Sequence, residues 1–377
     1  MSGTETVSGL FGGAVAPQDL RRVLLVRLDN MGDVLLTTPA FRAVRRALPG
    51  AHIALMAGPA GCAVGGLNPD IDETILYRAP NEDVYFELPQ DPGRELAAAD
   101  ALRDGAFDAA IIFTSYKQSA LPAAYLCYLA GIPLRAAGSW EGPGSLLTHR
   151  HRYAETVPPR HESLRGLELT RFLGFGAGEP EMVIEPRPED EEEASKILEP
   201  LGADRFAVVH PGSSASSRTY PAERYARVVD GLSAGARLPV LVTGGRGEED
   251  LTRKVAGSSG VPLGGGTGLG VFAALVRRAG VVVTNNTGAT HVASALKTPV
   301  VTVFAGTNPP EQWGPWRVPN RLLTHPVPCA PCYQRRCPIN HECLTGISPE
   351  TVTGAAMELL GEASRSSGVP QGAGAAW

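Results

Sequence analysis

Apolar residues in this chain gather into short continuous runs separated by stretches of helical period, and they seldom alternate with polar ones. The runs are VLLVRL at 23–28, HIALMA at 52–57, DAAIIFT at 108–114, FAVVHPG at 206–212, VLVTGG at 240–245, GVVVTN at 280–285 and VVTVFAG at 300–306. Runs of Val, Ile and Leu at strand length mark strands buried on both faces, as in a parallel sheet covered by helices. Between the two series lies PEMVIEPRPEDEEEASKILEPLGAD. Its first half reads as a linker. Its second half reads as a helix with acids in the first turn, where the helix dipole favours them. The pattern predicts an α/β protein of two Rossmann-like, doubly wound parallel-sheet domains facing a cleft, with ligands at the carboxyl ends of the strands. The predicted bounds are a loose leader over 1–20, an N-terminal domain over 21–185, a C-terminal domain over 186–361 and a disordered tail over 362–377.

Composition agrees with that division. A chain of 377 residues exceeds one ordinary core, since single domains settle at about 100 to 200 residues. An apolar fraction of 43%, with 44 Gly and 32 Pro, describes a globular chain with many tight turns. The formal net charge of −5 argues against nucleic acid held by bulk electrostatics and turns attention to small molecules. The leader MSGTETVSGLFGGAVAPQDL lacks the basic and apolar regions of a signal peptide, which points to the cytoplasm. No window approaches the roughly 20 apolar residues of a membrane span, which leaves peripheral contact with the inner face of a membrane. Six cysteines in that compartment stay mostly reduced, and Cys62 and Cys127, in apolar surroundings, read as core.

Candidate chemistry lies in the loops that follow the strands. GVVVTNNTGATHVASAL puts Asn285, Asn286, Thr287 and Gly288 between a strand and an Ala-rich helix, which suits an anion and equally an ordinary helix cap. His291 faces either that site or the sheet. HPGSSASSRTYPAERY offers Ser213 and Ser214 as donors and Arg218 as a fixed positive charge, a loop fit for a phosphate or for a plain connection. In TGGRGEED, Glu248 or Glu249 can accept from a ribose hydroxyl, although an acidic first helical turn explains both. No GxGxxG follows the first strand and no GxxxxGK[ST] occurs; the glycines of LGGGTGLGVF read as a loop that follows no clear strand. After the strand at 108–114 come Tyr116, Lys117, Gln118 and Ser119, where Lys117 suits an anionic acceptor group or is an exposed loop lysine; Arg135 and Arg150 carry the same two readings. Cys329, Cys332, Cys337 and Cys343, with His341 beside them, have a spacing that fits a structural zinc site or reduced or paired thiols in a stiff loop.

RLDNMGDVLLTTP, HPGSSASSRTYPAERY, TGGRGEED and TNNTGATHVASALKTPVVTVFAGTNP, in that order, resemble family 9 glycosyltransferases, the ADP-heptose heptosyltransferases of lipopolysaccharide assembly, over roughly residues 21 to 360. The resemblance implies a GT-B fold, with the first domain binding an acceptor and the second a nucleotide sugar. It places Asp33 on the family's general base, with Asn30, Met31, Gly32, Lys117 and Gln118 toward the acceptor. Arg218 falls where the family usually has a lysine on the donor phosphates, Glu249 or Glu248 near the ribose, and Thr287 and Gly288 on the turn that meets the diphosphate. One position departs, with Asn286 where the family typically has aspartate. The expected activity is inverting heptosyl transfer from ADP-heptose to a glycan, lipid-linked or small-molecule hydroxyl, with no cofactor in catalysis. Two other readings stand beside it: a different donor sugar with a secondary-metabolite acceptor, and a non-catalytic nucleotide-sugar binder.

Overall fold

The computed structural model describes residues 20–82, 88–115, 118–154, 159–176, 178–203 and 205–367. The chain divides between Glu185 and Pro186 into two compact units. In the first, strands β1 (Arg22–Val26), β2 (His52–Ala57), β3 (Glu73–Leu76), β4 (Ala109–Ile112), β5 (Leu134–Gly138) and β6 (His149–His151) form one parallel sheet ordered β3-β2-β1-β4-β5-β6. In the second, β7 (Ala207–His210), β8 (Val240–Gly244), β9 (Val261–Gly264), β10 (Val281–Asn285), β11 (Val300–Val303) and β12 (Asn320–Leu323) are ordered β12-β11-β10-β7-β8-β9. Counted within each unit, both sheets run 3-2-1-4-5-6. That is the Rossmann order, and its direction reverses between the first and fourth strands, where ligands gather at the carboxyl ends. The two reversals therefore lie at β1/β4 and at β7/β10.

The seven apolar runs are β1, β2, β4, β7, β8, β10 and β11, and the five strands without such a run include all four edges. Edge strands β3, β6, β9 and β12 are half-exposed or open to solvent, so nothing forces a Val/Ile run upon them. The inner strand β5, LRAAG, is buried through alanine and glycine. Since β9 ends at Gly264, the glycine-rich stretch after it does follow a strand and leads into the helix Leu269–Arg278, contrary to the sequence reading.

A helix, Met31–Ala47, follows β1 after a four-residue connection and carries Pro39 in its interior. Proline removes the N–H that Leu35 O would accept. The Thr38 hydroxyl fills that gap, donating to Leu35 O at 2.7 Å while accepting from Val183 N at 2.9 Å. The helix packs on Glu162–Phe172 where Gly166 allows close approach; a Cβ there would come within 2.9 Å of the Ala40 Cβ.

Two segments are more ordered than their composition suggested. Met182, Val183 and Ile184, read as linker, are buried, and Glu185 N donates to Leu67 O at 2.8 Å. The tail is corrected as well: the helix Pro349–Ser367 runs past Gly361, so only 368–377 of the expected tail lie outside the described residues, as do 1–19 of the leader. The acidic stretch does form a helix, Pro188–Leu198, which Glu191 ties to Leu269–Arg278 by ion pairs with Arg277 and Arg278. No helix among the described residues is long and apolar enough to cross a membrane.

Candidate functional site

In the first unit the reversal point carries a compact charged cluster. Arg27 ends the β1 run and is buried, because its guanidinium finds partners on both neighbouring loops. Its Nε lies 2.7 Å from Asp29 Oδ1, and its Nη2 lies 3.5 Å from Asp33 Oδ1 and donates to Ser115 Oγ at 2.5 Å. Ser115 follows β4, and its Oγ is 3.1 Å from Asp29 Oδ2 and 3.2 Å from Asp33 Oδ1. Asp33 occupies the first turn of Met31–Ala47, where its Oδ2 accepts from Asn30 N at 3.2 Å. An acid suits that position because the first-turn amides and the dipole favour negative charge. Helix geometry thus explains why Asp33 points back toward β1, while Thr38 and Pro39 lie in the interior of this helix.

Burial pushes the Asp29 carboxyl up to about 7 against the pull of Arg27, with Asp33 and Glu82 adding to the rise and Gln118 opposing it. Burial works against the Arg27 charge, yet Asp29, Asp33 and Glu162 together hold it above its ordinary value. Gln118 braces the cluster by accepting from Ser115 N at 2.6 Å and donating to Glu82 at 3.1 Å. Of the other residues expected on the acceptor side, Asn30 is exposed, Met31 and Gly32 are half-buried, and Lys117 and its neighbour Tyr116 lie outside the described residues. Arg135 and Arg150 resolve to the structural reading. Arg135 donates to the carbonyls of Ile132, Ser145 and Leu146, and Arg150 to those of Ser139 and Trp140.

In the second unit Asn285, at the end of β10, organises the reversal point. Its Oδ1 accepts from Tyr220 N at 3.1 Å and Tyr225 Oη at 3.0 Å, and its Nδ2 donates to Pro211 O at 2.8 Å. The loop after β7 is thereby fixed. Beyond it, Ser213 closes a turn on Ala215, Ser214 is exposed, and Arg218 ends the short 3-10 turn Ser216–Arg218. Thr287 occupies the N-cap position of the helix Gly288–Ala295, whose first amides emerge beside this loop, and His291 is buried within that helix. His210, at the tip of β7, is held below its ordinary value by burial, which Glu248 opposes.

The two glutamates behave differently. Glu248 accepts from Gly245 N at 2.7 Å and lies so close to Gly212 that a Cβ there would come within 2.3 Å of its Oε2. Glu249 accepts from Gly247 N at 3.1 Å and is exposed, lowered by amide donors of its own helix turn and of Gly247. Asn286 is buried and committed. Its Nδ2 donates to Asn308 Oδ1 at 3.1 Å, and its Oδ1 accepts from Ala305 N at 3.3 Å.

The cysteine loop docks on this unit without forming the zinc site that its spacing suggested. Cys332 N donates to Gly306 O at 3.0 Å and Tyr333 N to Thr307 O at 2.7 Å, while Ser217 Oγ donates to Gln334 O at 2.6 Å and Ser217 N to Arg335 O at 3.2 Å. His341 Nε2 bonds Ser216 O at 3.0 Å. With the main chain so committed, Cys329 turns to solvent while Cys332, Cys337 and Cys343 are half-buried, all four as free thiols. Burial, with the neighbouring thiols, pushes Cys343 up. Among the described residues no group of three or more His, Cys, Asp or Glu is placed to hold a metal ion, and the zinc expectation is not supported. Of the other two cysteines, Cys127 is core, its thiol pushed up to about 12 by burial, and Cys62 is half-buried.

Sequence reasoning missed Arg27, Asp29 and Ser115 on one side and Asn308 on the other. An Arg and an Asp two residues apart at the end of an apolar run were the available signal for a buried ion pair. Ser115 and Asn308 gave none, because they meet their partners only through strand order.

A family model described as glycosyltransferase family 9 (heptosyltransferase) matches residues 96–342. Lipopolysaccharide heptosyltransferase 3 of Escherichia coli K12 is 23% identical over 298 residues, covering 76% of this chain and 82% of its own. The solved structure of the glycosyl transferase family 9 from Veillonella parvula superposes with a TM-score of 0.73 at 23% identity, covering 91% of this chain and 98% of that one. The Escherichia coli heptosyltransferase WaaC, solved with ADP-2-deoxy-2-fluoro heptose, superposes with a TM-score of 0.67 at 20% identity, covering 89% and 99%. These two likenesses are of fold, the GT-B type with two Rossmann-like domains.

Proposed function

The chain belongs to glycosyltransferase family 9, and on that footing we propose that it moves a heptosyl or related residue from an ADP-activated sugar to an acceptor hydroxyl, with inversion and with Asp33 as general base. The observation that carries the proposal is the position of Asp33: a carboxylate in the first turn of the helix after β1, at the β1/β4 reversal, facing Arg27 and Ser115. The ligand of the fold neighbour from Escherichia coli supports ADP-heptose as the donor to try first.

In the transfer, the acceptor oxygen bonds to the anomeric carbon as its proton passes to Asp33, and the bond to the nucleoside diphosphate breaks with its electron pair. A placed carboxylate contributes roughly 10²- to 10⁴-fold to such a step. The departing diphosphate gains charge that Arg218 and the first amides of Gly288–Ala295 would stabilise. For the ribose hydroxyls we favour Glu248 over Glu249, because its carboxylate lies against Gly212 in the phosphate loop.

Mass spectrometry of products from ADP-heptose with a panel of hydroxyl acceptors tests the reading. Asp33→Asn should abolish transfer while ADP still binds, and an active Asp33→Asn enzyme would remove Asp33 as base. Donor bound but never turned over, with every acceptor offered, would favour the non-catalytic binder.

A second reading, a different donor sugar, is favoured by Asn286. Its amide is spent on Asn308 and Ala305, so it offers no carboxylate where the family typically has one. Competition of ADP-heptose against other nucleotide sugars for the protein separates the two readings.

A further inference from the structure

The Ser115 hydroxyl sits among three charged groups at hydrogen-bond distance: Arg27 Nη2 at 2.5 Å, Asp29 Oδ2 at 3.1 Å and Asp33 Oδ1 at 3.2 Å. A hydroxyl has one proton and two lone pairs. Arg27 can only donate, so it takes one lone pair. The hydroxyl proton then serves one carboxylate, and the contact to the other becomes a hydrogen bond only when that carboxyl carries a proton itself. One proton completes the set, and it can sit on either side, with Ser115 turned to face the opposite carboxylate.

We propose that Asp29 is the proton partner of Asp33, with Ser115 passing the proton between them. The inference rests on Asp33 being the base. Asp33 Oδ1 takes the acceptor's proton and then gives it to Ser115 Oγ, as Ser115 gives its own proton to Asp29 Oδ2. Ser115 ends unchanged, Asp33 is ionised again, and Asp29 holds the proton until solvent removes it. Asp29 and Ser115 act through Asp33, as positioning residues.

The surroundings suit that role. The Asp29 side chain is buried among Arg27, Asp33, Glu82 and Gln118, and burial holds its carboxyl near neutrality, where it can both accept and release a proton. Arg27, itself facing Asp29, Asp33 and Glu162, keeps a positive charge beside the pair in either state. Asn30 N on Asp33 Oδ2 leaves Oδ1 as the oxygen directed at Ser115.

The test is kcat against pH at saturating donor. Asp29 has to be ionised to receive the proton, so the parent should show an acid limb of kcat at about pH 7, and Asp29→Asn, with no carboxylate to receive it, should lack that limb. The plateau should fall about tenfold as the onward path for the proton is lost, with donor KM unchanged. Asp29→Glu should bring the limb back toward the parent value. Ser115→Ala, which leaves both carboxylates and Arg27 in place, should lower kcat about tenfold without changing donor KM, and it decides the matter if Asp29→Asn does not fold. A parent acid limb in folded Asp29→Asn, or a parent kcat in Ser115→Ala, would overturn the partnership. Activity in Asp33→Asn would instead overturn the function on which the inference rests.

Discussion

Asn286 and Glu248 show how little room individual residues have on the second unit. Replacing Asn286 by Asp would set an oxygen against Asn308 Oδ1, which already accepts from Thr307 Oγ1. We expect Asn286→Asp to cost about 1 to 3 kcal/mol, as a buried polar contact turned repulsive does. A shift of the urea midpoint checks it, and an unchanged midpoint means that the Asn308 amide can turn over. Gly212→Ala tests the close approach of Glu248, since the new Cβ would come within 2.3 Å of the carboxylate. Isothermal titration should then show ADP binding weakened about tenfold, or about 1.4 kcal/mol, whereas equal affinity would deny Glu248 a share in nucleotide binding.

At the scale of elements, a helix with a proline in its ninth position stays continuous because the residue before that proline repairs it. The Thr38 hydroxyl satisfies Leu35 O and Val183 N at once, and so joins the Asp33 helix to the last buried segment of its unit. Thr38→Val leaves both backbone groups buried and unpaired and should destabilise the protein by about 2 kcal/mol; Thr38→Ser should retain most of the stability in the same urea titration. A proline inside an apolar period ordinarily marks a boundary, and the compensating hydroxyl can be recognised only when its two partners are known. Elsewhere the legibility follows burial. Most strands covered on both faces betray themselves by Val/Ile runs, β5 with its alanines and glycine being the exception, whereas β3, β6, β9 and β12 carry no such demand. Motif spacing puts Asp33, Arg218 and the Thr287–Gly288 turn just after strands, and they lie in the first turn of the helix after β1, on the loop after β7 and at the start of the helix after β10. The Arg27–Asp29–Ser115 cluster was not legible, since it exists only where β1 meets β4, and strand order is invisible to any local window.

Stability of the whole molecule should carry the mark of Asp29. Its carboxyl is raised in the folded state, so the fold binds its proton more readily than the unfolded chain does. Its stabilising contribution is therefore complete at low pH, below the unfolded value, and is lost as pH rises toward about 7. His210, held neutral by burial, acts in the opposite sense as pH falls, so the parent profile alone mixes the two. Urea midpoints of the parent and of Asp29→Asn, measured in parallel from pH 4 to pH 8, separate them. The variant should gain on the parent as pH rises, and a constant difference would contradict the raised carboxyl.

The cysteine loop meets its neighbours mostly through its own main chain: two amides onto Gly306 and Thr307, two carbonyls under Ser216 and Ser217. Contacts of that kind ask little of side-chain identity, and the thiol of Cys329 faces solvent. The loop is accordingly a ready-made attachment point, where an environment-sensitive dye could be carried a few residues from the segments on which nucleotide is expected to settle. Its emission would follow occupancy in real time, without any change to the residues that bind.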